Sequence, residues 1–262
     1  MPNEPRFSIV TCTWNSAATL SDTLASLDSQ SFRDFEHIFV DGGSRDGTLD
    51  MLAAYAHTAP GNKRILHDIG GGISRAMNQG IEAARGEIVA HLHADDYYAG
   101  PDVLARVARH FDDTGAAWVV GNIQVLRDGV LAPPYPMRPF SYRAYAAGQT
   151  TIPHPAVFVR RACFDQVGGF DPRLRYAMDI DLWLRLARHA PPAQLDATLA
   201  VFREHAGSIS SANKLRARDE EFRVRRRHAR SAPLAFLVYC LRYARRMRML
   251  RAQQHVAAEN TY

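Results

Sequence analysis

The sequence predicts an α/β fold built around a largely parallel sheet, and two observations support this. Short β-rich runs alternate with amphipathic helical stretches through the first hundred residues. Polar residues also collect directly after the predicted strands, where ligands bind in parallel α/β sheets. Of the 262 residues, 47% are hydrophobic and 23% charged, which suits one large or two small domains and excludes wholesale disorder.

The first half of the chain is expected to run in βα order. Apolar runs predict strands at residues 7–11, 35–40, 64–66 and 87–93. Ser16 suits a helix N-cap, and the leucines at 20, 24 and 27 then recur at helical spacing. Further helices are expected at residues 48–56 and about 74–84, the second of them stopped by Gly86.

The pattern changes after residue 100. A helix is predicted at residues 103–111, followed by a long strand at 118–126 that turns through Asp128-Gly129 into a short partner at 130–131. Residues 132–151 are rich in Pro, Tyr and Arg and are expected to be irregular. The remaining predicted elements are a strand at 155–160, a helix at 179–188 and a strand at 199–203.

Charge divides the chain into an acidic body and a basic arm. The net charge is +5, yet residues 214–251 hold 13 Lys or Arg against three acids, and the rest holds 19 bases against 24 acids. We therefore predict two regions, 1–212 and a basic helical region at 213–262. The arm fits nucleic acid, an anionic membrane surface or a solvated arginine-rich helix.

The remaining sequence signals concern the compartment. Three scattered cysteines favour neither a disulfide framework nor a cysteine-built zinc site, so a reducing compartment is expected. The N-terminus carries no secretory pattern, and the longest nearly apolar run, at residues 232–241, is about half of the roughly 20 residues that span a bilayer. A cytoplasmic protein is therefore expected.

Two adjacent carboxylates form the sharpest chemical feature. Asp95 and Asp96 follow the fourth predicted strand, and their mutual repulsion is costly unless a cation or hydroxyl groups offset it. Mg²⁺ and Mn²⁺ take oxygen ligands, and one protein carboxylate plus a substrate diphosphate can hold either ion. The alternative is that one of these residues caps a short turn before Pro101.

Several stretches together resemble the family-two glycosyltransferases with a GT-A fold, especially those that build bacterial surface polysaccharides. The resemblance covers roughly residues 7–212 and implies a Rossmann-like mixed sheet with flanking helices, followed by the basic helical arm. It rests on eight stretches in order: SIVTCTWN from Ser8, FVDGGSRDGT from Phe39, GISRAMNQG from Gly72, LHADD from Leu92, His154, VGGFD from Val167, DIDLWLR from Asp179 and FREHAGSIS from Phe202.

The resemblance implies a donor site and a metal. By motif position, Thr11 matches a residue after the first strand that lies against the nucleotide base, and Asp41 matches an aspartate that accepts a hydrogen bond from the base. Asp95 matches the carboxylate that faces the ribose, and Asp96 the one that binds the divalent metal, Mn²⁺ or Mg²⁺. His205 matches a position that, in some relatives, reaches the metal or the diphosphate, while a structural role stays open.

Asp179 matches the family's general base. Transfer with inversion needs a carboxylate opposite the leaving diphosphate to take the proton of the acceptor hydroxyl. Asp181 competes for this role, because residues two apart on a helix point about 200° apart and one of them alone can face the site. A helix cap is the structural alternative for Asp179.

Three positions depart from the family pattern. Gly70 stands where many relatives carry an acidic residue, and the nearby Asp68 is expected to replace it in nucleotide binding. Arg75 stands where an aspartate is frequent, and an arginine beside a helix N-terminus can bind phosphate oxygens directly. Met178 replaces the usual acidic residue before Asp179.

These observations predict a metal-dependent, inverting glycosyltransferase of cell-surface polysaccharide biosynthesis. The expected donor is a nucleotide-diphosphate sugar, with UDP as the expected nucleotide, and the acceptor a glycan or a polyprenyl-diphosphate-linked glycan. Interleaved cationic and apolar residues in the arm suit a helix in an anionic membrane interface, on the cytoplasmic face of the inner membrane. No nucleic-acid partner is expected. The alternative is a non-catalytic nucleotide-sugar-binding or membrane scaffold protein.

Overall fold

A computed structural model describes residues 4–58, 62–134, 137–204 and 213–259 of the chain. Nine strands and nine α-helices follow one another in these residues. The strands are β1 Phe7–Thr13, β2 Phe35–Asp41, β3 Asn62–Leu66, β4 Ile88–His91, β5 Tyr97–Tyr98, β6 Trp118–Arg127, β7 Val130–Leu131, β8 Val157–Arg160 and β9 Ala193–Glu204. The helices are α1 Leu20–Asp28, α2 Thr48–Thr58, α3 Ile73–Ala83, α4 Val103–Thr114, α5 Tyr142–Ala146, α6 Ala162–Val167, α7 Met178–His189, α8 Lys214–Arg227 and α9 Pro233–Glu259.

All strands belong to one mixed sheet. Its order is β3-β2-β1-β4-β8-β6-β9-β5, and β7 extends β6 as a hairpin. β1 pairs in parallel with β2 and β4, and β2 in parallel with β3. β8 runs antiparallel to β4 and β6, whereas β6 and β9 are parallel. The carboxyl ends of β1, β2, β3 and β4 therefore meet at one edge of the sheet, which is where a ligand site is expected.

Apolar side chains cover both faces of the sheet. Because successive residues of a strand point to opposite faces, Ile9 packs into the core beneath α1 and α4 while Val10 packs into the core beneath α3 and α7. Helix α3 lies close to β1 at Gly80, where an added Cβ would come within 2.2 Å of a methyl carbon of Val10. This close approach packs α3 directly against β1.

The predicted element order is confirmed, with differences at several boundaries. β1 continues to Thr13, two residues beyond its predicted end, whereas β4 ends at His91 rather than at residue 93. β9 begins at Ala193, six residues before its predicted start. The segment expected to be irregular contains the short helix α5, whose N-cap Ser141 accepts a hydrogen bond from the Ala144 backbone N–H. β5 and α6 were not predicted.

The basic region forms two helices that pack on the body. α8 contacts α7, and α9 contacts both α8 and α5. Val224 of α8 and Ala235 of α9 belong to the same core cluster as Leu182 of α7. Among the helices of the described part of the chain, none has the length and apolar character needed to cross a membrane.

Candidate active site

Asp41 organises the loop that follows β2. Its Oδ1 accepts the backbone N–H groups of Gly43 and Ser44 at 2.9 and 2.8 Å, and its Oδ2 accepts the hydroxyls of Thr13 and Ser44 at 2.7 and 2.6 Å. Burial raises the pKa of this carboxyl, but the four hydrogen bonds outweigh burial and hold it below the ordinary value. The carboxylate thus joins the ends of β1 and β2; its expected contact with a base stays a prediction.

Thr11 lies inside β1 rather than after it, so its predicted place after the strand is wrong. The side chain is fully buried, and its hydroxyl lies 2.8 Å from Nε2 of His37 on the neighbouring strand. The physical reason is that β1 pairs with β2 as far as Thr13 opposite Asp41, which keeps Thr11 in the middle of the sheet. Thr13 and Trp14 occupy the strand end instead.

Trp14 is a site-edge residue that the sequence reasoning did not select. Its side chain is 70% exposed, although tryptophan is mostly buried in folded proteins. An added Cβ at Gly42 would lie 3.4 Å from Trp14 Cδ1, so the ring lies against the loop that Asp41 organises. An aromatic residue directly after the first strand was the available signal.

A cleft of about 150 Å³ lies at the ends of β3 and α3. Asp68, Ile69, Gly70, Arg75 and Gln79 line it, so it contains two of the predicted nucleotide-binding residues, Asp68 and Arg75. The Ile69 backbone N–H donates to the Asp41 carbonyl at 2.9 Å, which ties this loop to the loop after β2. Asp68 has a positive φ of 56°, a conformation that Asp tolerates better than most residues.

Asp95 and Asp96 lie beyond the end of β4. Asp96 is 2% exposed, and its Oδ1 accepts the backbone N–H of Arg203 in β9 at 3.0 Å. Asp95 is partly exposed, and its carbonyl accepts the Arg203 Nε–H at 3.2 Å. Burial and the charge of Asp95 raise the pKa of Asp96. The pair therefore carries a repulsion that a bound cation would relieve.

The carboxylate oxygens of this loop can supply part of the coordination of a hard divalent ion. Among the described residues, no three His, Cys, Asp or Glu side chains come together as a ready-made metal site. Mg²⁺ and Mn²⁺ often bind through one or two carboxylates and complete their coordination with water and substrate phosphate, so Asp96 can be the protein's share. The expected contact of Asp95 with the ribose stays a prediction. His205, the second predicted metal ligand, lies outside the described residues.

Aromatic rings connect the Asp95–Asp96 loop to α7. His93 stacks on His154 with ring centroids 4.9 Å apart, and His154 lies 5.7 Å from Trp183 of α7. Burial lowers the pKa of both histidines, so their rings are neutral and pack as apolar groups. Trp183 lies one helical turn after Asp179, on the same side of α7. One aromatic cluster thus connects the Asp95–Asp96 loop to the helix that carries Asp179.

Asp179 lies in the first turn of α7 and is partly exposed. The groups crowded around the carboxyl raise its pKa to about 6, mainly through burial, with a further contribution from the charge of Glu221. Oδ1 accepts the Ile180 backbone N–H at 2.7 Å. A carboxylate with a raised pKa is a stronger base than an ordinary aspartate and is still ionised at pH 7, as general-base catalysis requires.

Asp181, the competing carboxylate, has structural partners. Its Oδ2 accepts the Arg185 Nε–H at 2.9 Å, and its Oδ1 lies 3.0 Å from His228 Nε2. It is 6% exposed. The two aspartates therefore differ as the helical spacing predicted, and Asp179 is the one without a salt-bridge partner among the described residues.

Fold and comparison together define the class of protein. The mixed sheet with its flanking helices is a GT-A fold, and the family model "Glycosyl transferase family 2" matches residues 8–165. The chain belongs to glycosyltransferase family 2. The family resemblance and the fold class predicted from sequence are confirmed.

The curated relatives of this chain include proteins named as glycosyltransferases. An uncharacterized glycosyltransferase of Mycobacterium tuberculosis is 32% identical over 207 residues, which cover 77% of this chain and 76% of the relative. A PGL/p-HBAD biosynthesis glycosyltransferase of Mycobacterium bovis is 34% identical over 189 residues, which cover 69% of each chain.

Solved structures share the fold at lower identity. S. aureus TarS 1–349 in complex with UDP-GlcNAc has a TM-score of 0.70 at 21% identity, with 84% of this chain and 64% of that chain covered. The mannosyltransferase PcManGT of Pyrobaculum calidifontis, in complex with GDP-Man and Mn²⁺, has a TM-score of 0.65 at 19% identity, with 100% and 82% covered. The chain spans 38% of the longer TarS structure.

Proposed function

We propose that the protein is an inverting, metal-dependent glycosyltransferase that moves a sugar from a nucleotide-diphosphate donor, with UDP as the expected nucleotide, to an acceptor hydroxyl. The observation that carries the proposal is that one aromatic cluster connects the two chain segments that hold the predicted metal and base carboxylates. His93, two residues before Asp95, stacks on His154, and His154 contacts Trp183, one helical turn after Asp179.

In the proposed reaction, Asp179 takes the proton from the acceptor hydroxyl. The acceptor oxygen then forms a bond to the anomeric carbon from the face opposite the diphosphate, and the bond between that carbon and the diphosphate oxygen breaks. The nucleoside diphosphate leaves with the bonding electron pair. Because the acceptor attacks from the opposite face, the anomeric configuration is inverted. The transition state has oxocarbenium character, as in glycoside hydrolysis.

Asp96 would hold the metal, with His205 as the second expected ligand, and Asp95 would face the ribose of the donor. A bound divalent ion would neutralise the charge that grows on the leaving diphosphate. The backbone N–H of Arg203 holds Asp96 at the end of β4, so the carboxylate is positioned by the sheet itself. The PcManGT structure, which shares the fold and was solved with Mn²⁺, supports a divalent ion.

Donor binding is assigned to the cleft beside α3 and to the site edge. Arg75 can donate to the diphosphate from the first turn of α3, whose N-cap Gly72 leaves the helix N-terminus without a side-chain cap. The exposed Trp14 ring offers a surface on which a nucleotide base can stack. The TarS complex with UDP-GlcNAc supports a nucleotide sugar as the donor class.

A donor hydrolysis screen tests the proposal. The full-length protein is incubated with UDP-, GDP- and dTDP-sugars in the presence of Mn²⁺, Mg²⁺ or EDTA, and release of the nucleoside diphosphate is measured. We expect release from one nucleotide class that EDTA abolishes and added Mn²⁺ or Mg²⁺ restores. Equal release in EDTA would contradict the metal, and no release or transfer with any donor would contradict the activity.

We also propose that α9 binds an anionic membrane surface, which places the enzyme on the cytoplasmic face of the inner membrane beside a lipid-linked glycan acceptor. Four side chains form an exposed apolar stripe along its first two turns: Leu234, Leu237, Val238 and Leu241, with exposed fractions of 79%, 60%, 38% and 70%. The exposed Arg230 precedes the stripe, and the exposed Arg245 and Arg248 follow it. Leucine flanked by arginine is typical of helices that lie in an anionic interface.

Liposome co-sedimentation tests this assignment. Point variants in the apolar stripe are used, because they leave α8 and its packing on the body intact. We expect the wild type to sediment with phosphatidylglycerol vesicles, and Leu237→Glu/Leu241→Glu to stay in solution. The matched control Val130→Glu/Leu131→Glu changes two exposed apolar residues of β7 and should sediment like the wild type. Equal sedimentation of all three proteins would contradict the membrane assignment.

A further inference from the structure

Helix α8 contacts the segment that leads into α7. Glu220 is 7% exposed, and its Oε1 accepts the backbone N–H groups of three consecutive residues: Arg175 at 2.9 Å, Tyr176 at 2.6 Å and Ala177 at 2.9 Å. Ala177 is the residue directly before α7 and lies two positions before Asp179. One buried carboxylate therefore fixes the backbone immediately preceding the proposed base.

A buried ion pair lies on the next turn of α8. Arg225 and Glu221 are each 4% exposed, and Arg225 Nε donates to Glu221 Oε1 at 2.8 Å. The Arg225 guanidinium also donates to the carbonyls of Tyr145 and Ala146 in α5, and Arg218 donates to the second Glu221 oxygen at 2.6 Å. A fully hydrogen-bonded buried pair holds its charges in fixed positions.

The C-terminal end of α8 adds two further contacts with α7 and with the segment that precedes it. His228, its C-cap, lies 3.0 Å from Asp181, and Arg227 Nη1 donates to Asp171 at 3.0 Å. α8 therefore contacts the chain both before and after Asp179. Surface ion pairs alone would contribute little to stability, but the side chains of Glu220 and Glu221 are buried.

We propose that Glu220 and the Glu221–Arg225 pair of α8 are positioning residues for Asp179, so that the first helix of the basic region completes the active site. The inference rests on the proposed function of Asp179 as the base. The family model ends at residue 165, so it assigns no role to α8. Positioning by these residues matters because a shift of about 1 Å in a catalytic group can cost about 100-fold in rate.

The pair also sets the electrostatic environment of the base. Three titratable or charged groups on neighbouring helices act on Asp179: Tyr145 of α5 and Glu221 and Arg225 of α8. After burial, the charge of Glu221 raises the pKa of Asp179, whereas Arg225 lowers it. Removal of the Glu221 charge should therefore move the acidic limb of the pH–rate profile to lower pH. Removal of the Arg225 charge should move it to higher pH.

The first experiment tests whether Glu220 positions Asp179 or only stabilises the fold. Glu220→Ala leaves three backbone N–H groups without their acceptor, so we expect faster deuterium exchange at residues 175–177 and a kcat about 10- to 100-fold lower, with donor Kd unchanged. Glu220→Gln keeps a carbonyl oxygen and should retain kcat within about fivefold of wild type. Asp219→Asn, an exposed position of the same helix, is the control. Wild-type kcat and exchange in Glu220→Ala would overturn the inference.

The second experiment measures the pH dependence of kcat in Glu221→Gln and Arg225→Gln. The acidic limb should move to lower pH in the first variant and to higher pH in the second, each by about half a unit or more. A general loss of packing would lower the rate without moving the limb, and an unmoved limb in Glu221→Gln would overturn the electrostatic part. If the wild type transfers no sugar, the proposed function fails. The exchange measurement still tests whether Glu220 fixes the backbone of residues 175–177.

Discussion

The side chain of Arg75 lies directly over the α-carbon of Gly71. A Cβ added to Gly71 would come within 2.8 Å of Arg75 Cδ, and Gly71 has a φ of +99°, which disfavours any other residue. The absence of a side chain at this position allows Arg75 to lie across the loop and to line the cleft with Asp68. The loop and the arginine therefore form one unit of the proposed donor site.

Two substitutions should weaken donor binding by the same route. Arg75→Ala removes a charged donor, so we expect the Kd of the nucleoside diphosphate to rise by about 10-fold or more. Gly71→Ala should have a similar effect because the new methyl group displaces the Arg75 side chain. Isothermal titration calorimetry measures both, with the exposed Arg106→Ala of α4 as control. Wild-type affinity in Arg75→Ala would remove the arginine from the donor site.

A second prediction concerns stability. The side chain of Glu36 is fully buried, and its two oxygens accept hydrogen bonds from Ser8 at 2.6 Å and from Arg85 at 2.7 to 3.1 Å, with Arg64 at 3.2 Å. Both arginines are partly exposed, so Glu36→Gln should lower the free energy of unfolding by about 1 to 3 kcal/mol. Chemical denaturation at pH 7 measures this, with the exposed Glu82→Gln as control.

The same residue predicts how stability depends on pH. Burial raises the pKa of Glu36, but the hydrogen bonds and the arginines outweigh burial and hold it below the ordinary value. A lowered carboxyl pKa stabilises the fold above the unfolded pKa of about 4.3, and this contribution is lost as the pH falls through the folded pKa. The difference in stability between wild type and Glu36→Gln should therefore shrink in acid; a constant difference would contradict the role of this charge.

The pH dependence of the rate follows from Asp179. Its pKa is raised to about 6, and a general base acts only when deprotonated, so kcat should fall as the pH drops through 6. Below that point the rate should decrease about 10-fold per pH unit. Initial rates of transfer between pH 5 and 8 at saturating donor measure this. A rate that stays constant down to pH 5 would contradict the assignment.

The sequence predicted the order of the main elements because βα alternation is a local pattern. β5 escaped prediction because its two residues carry no periodicity. The start of β9 was predicted six residues too late because polar residues such as Gln194 and Asp196 interrupt its apolar pattern. The end of β1 was misplaced because Thr13 and Asp41 reveal their pairing only across the sheet. This error put Thr11 at the site edge.

The candidate site was predictable where motifs are local, as at Asp95–Asp96 and Asp179. The role of α8 was not predictable, because Glu220 lies 43 residues from Ala177 and its acidic neighbour sits within an arginine-rich run that is typical of a solvated helix. Contacts of this length depend on how α8 packs on α7. Local composition does not indicate that packing.

The most direct test of catalysis by Asp179 compares turnover with binding in Asp179→Asn. The amide has the shape of the carboxylate but accepts no proton, so kcat should fall by about 10² to 10⁴-fold. Donor Kd should stay within about threefold, because the donor residues lie elsewhere. Asp165→Asn, an exposed position of α6, should match wild type in both measurements. Wild-type turnover in Asp179→Asn, or a wild type that binds the donor and never transfers its sugar, would contradict the account and favour a non-catalytic binding protein.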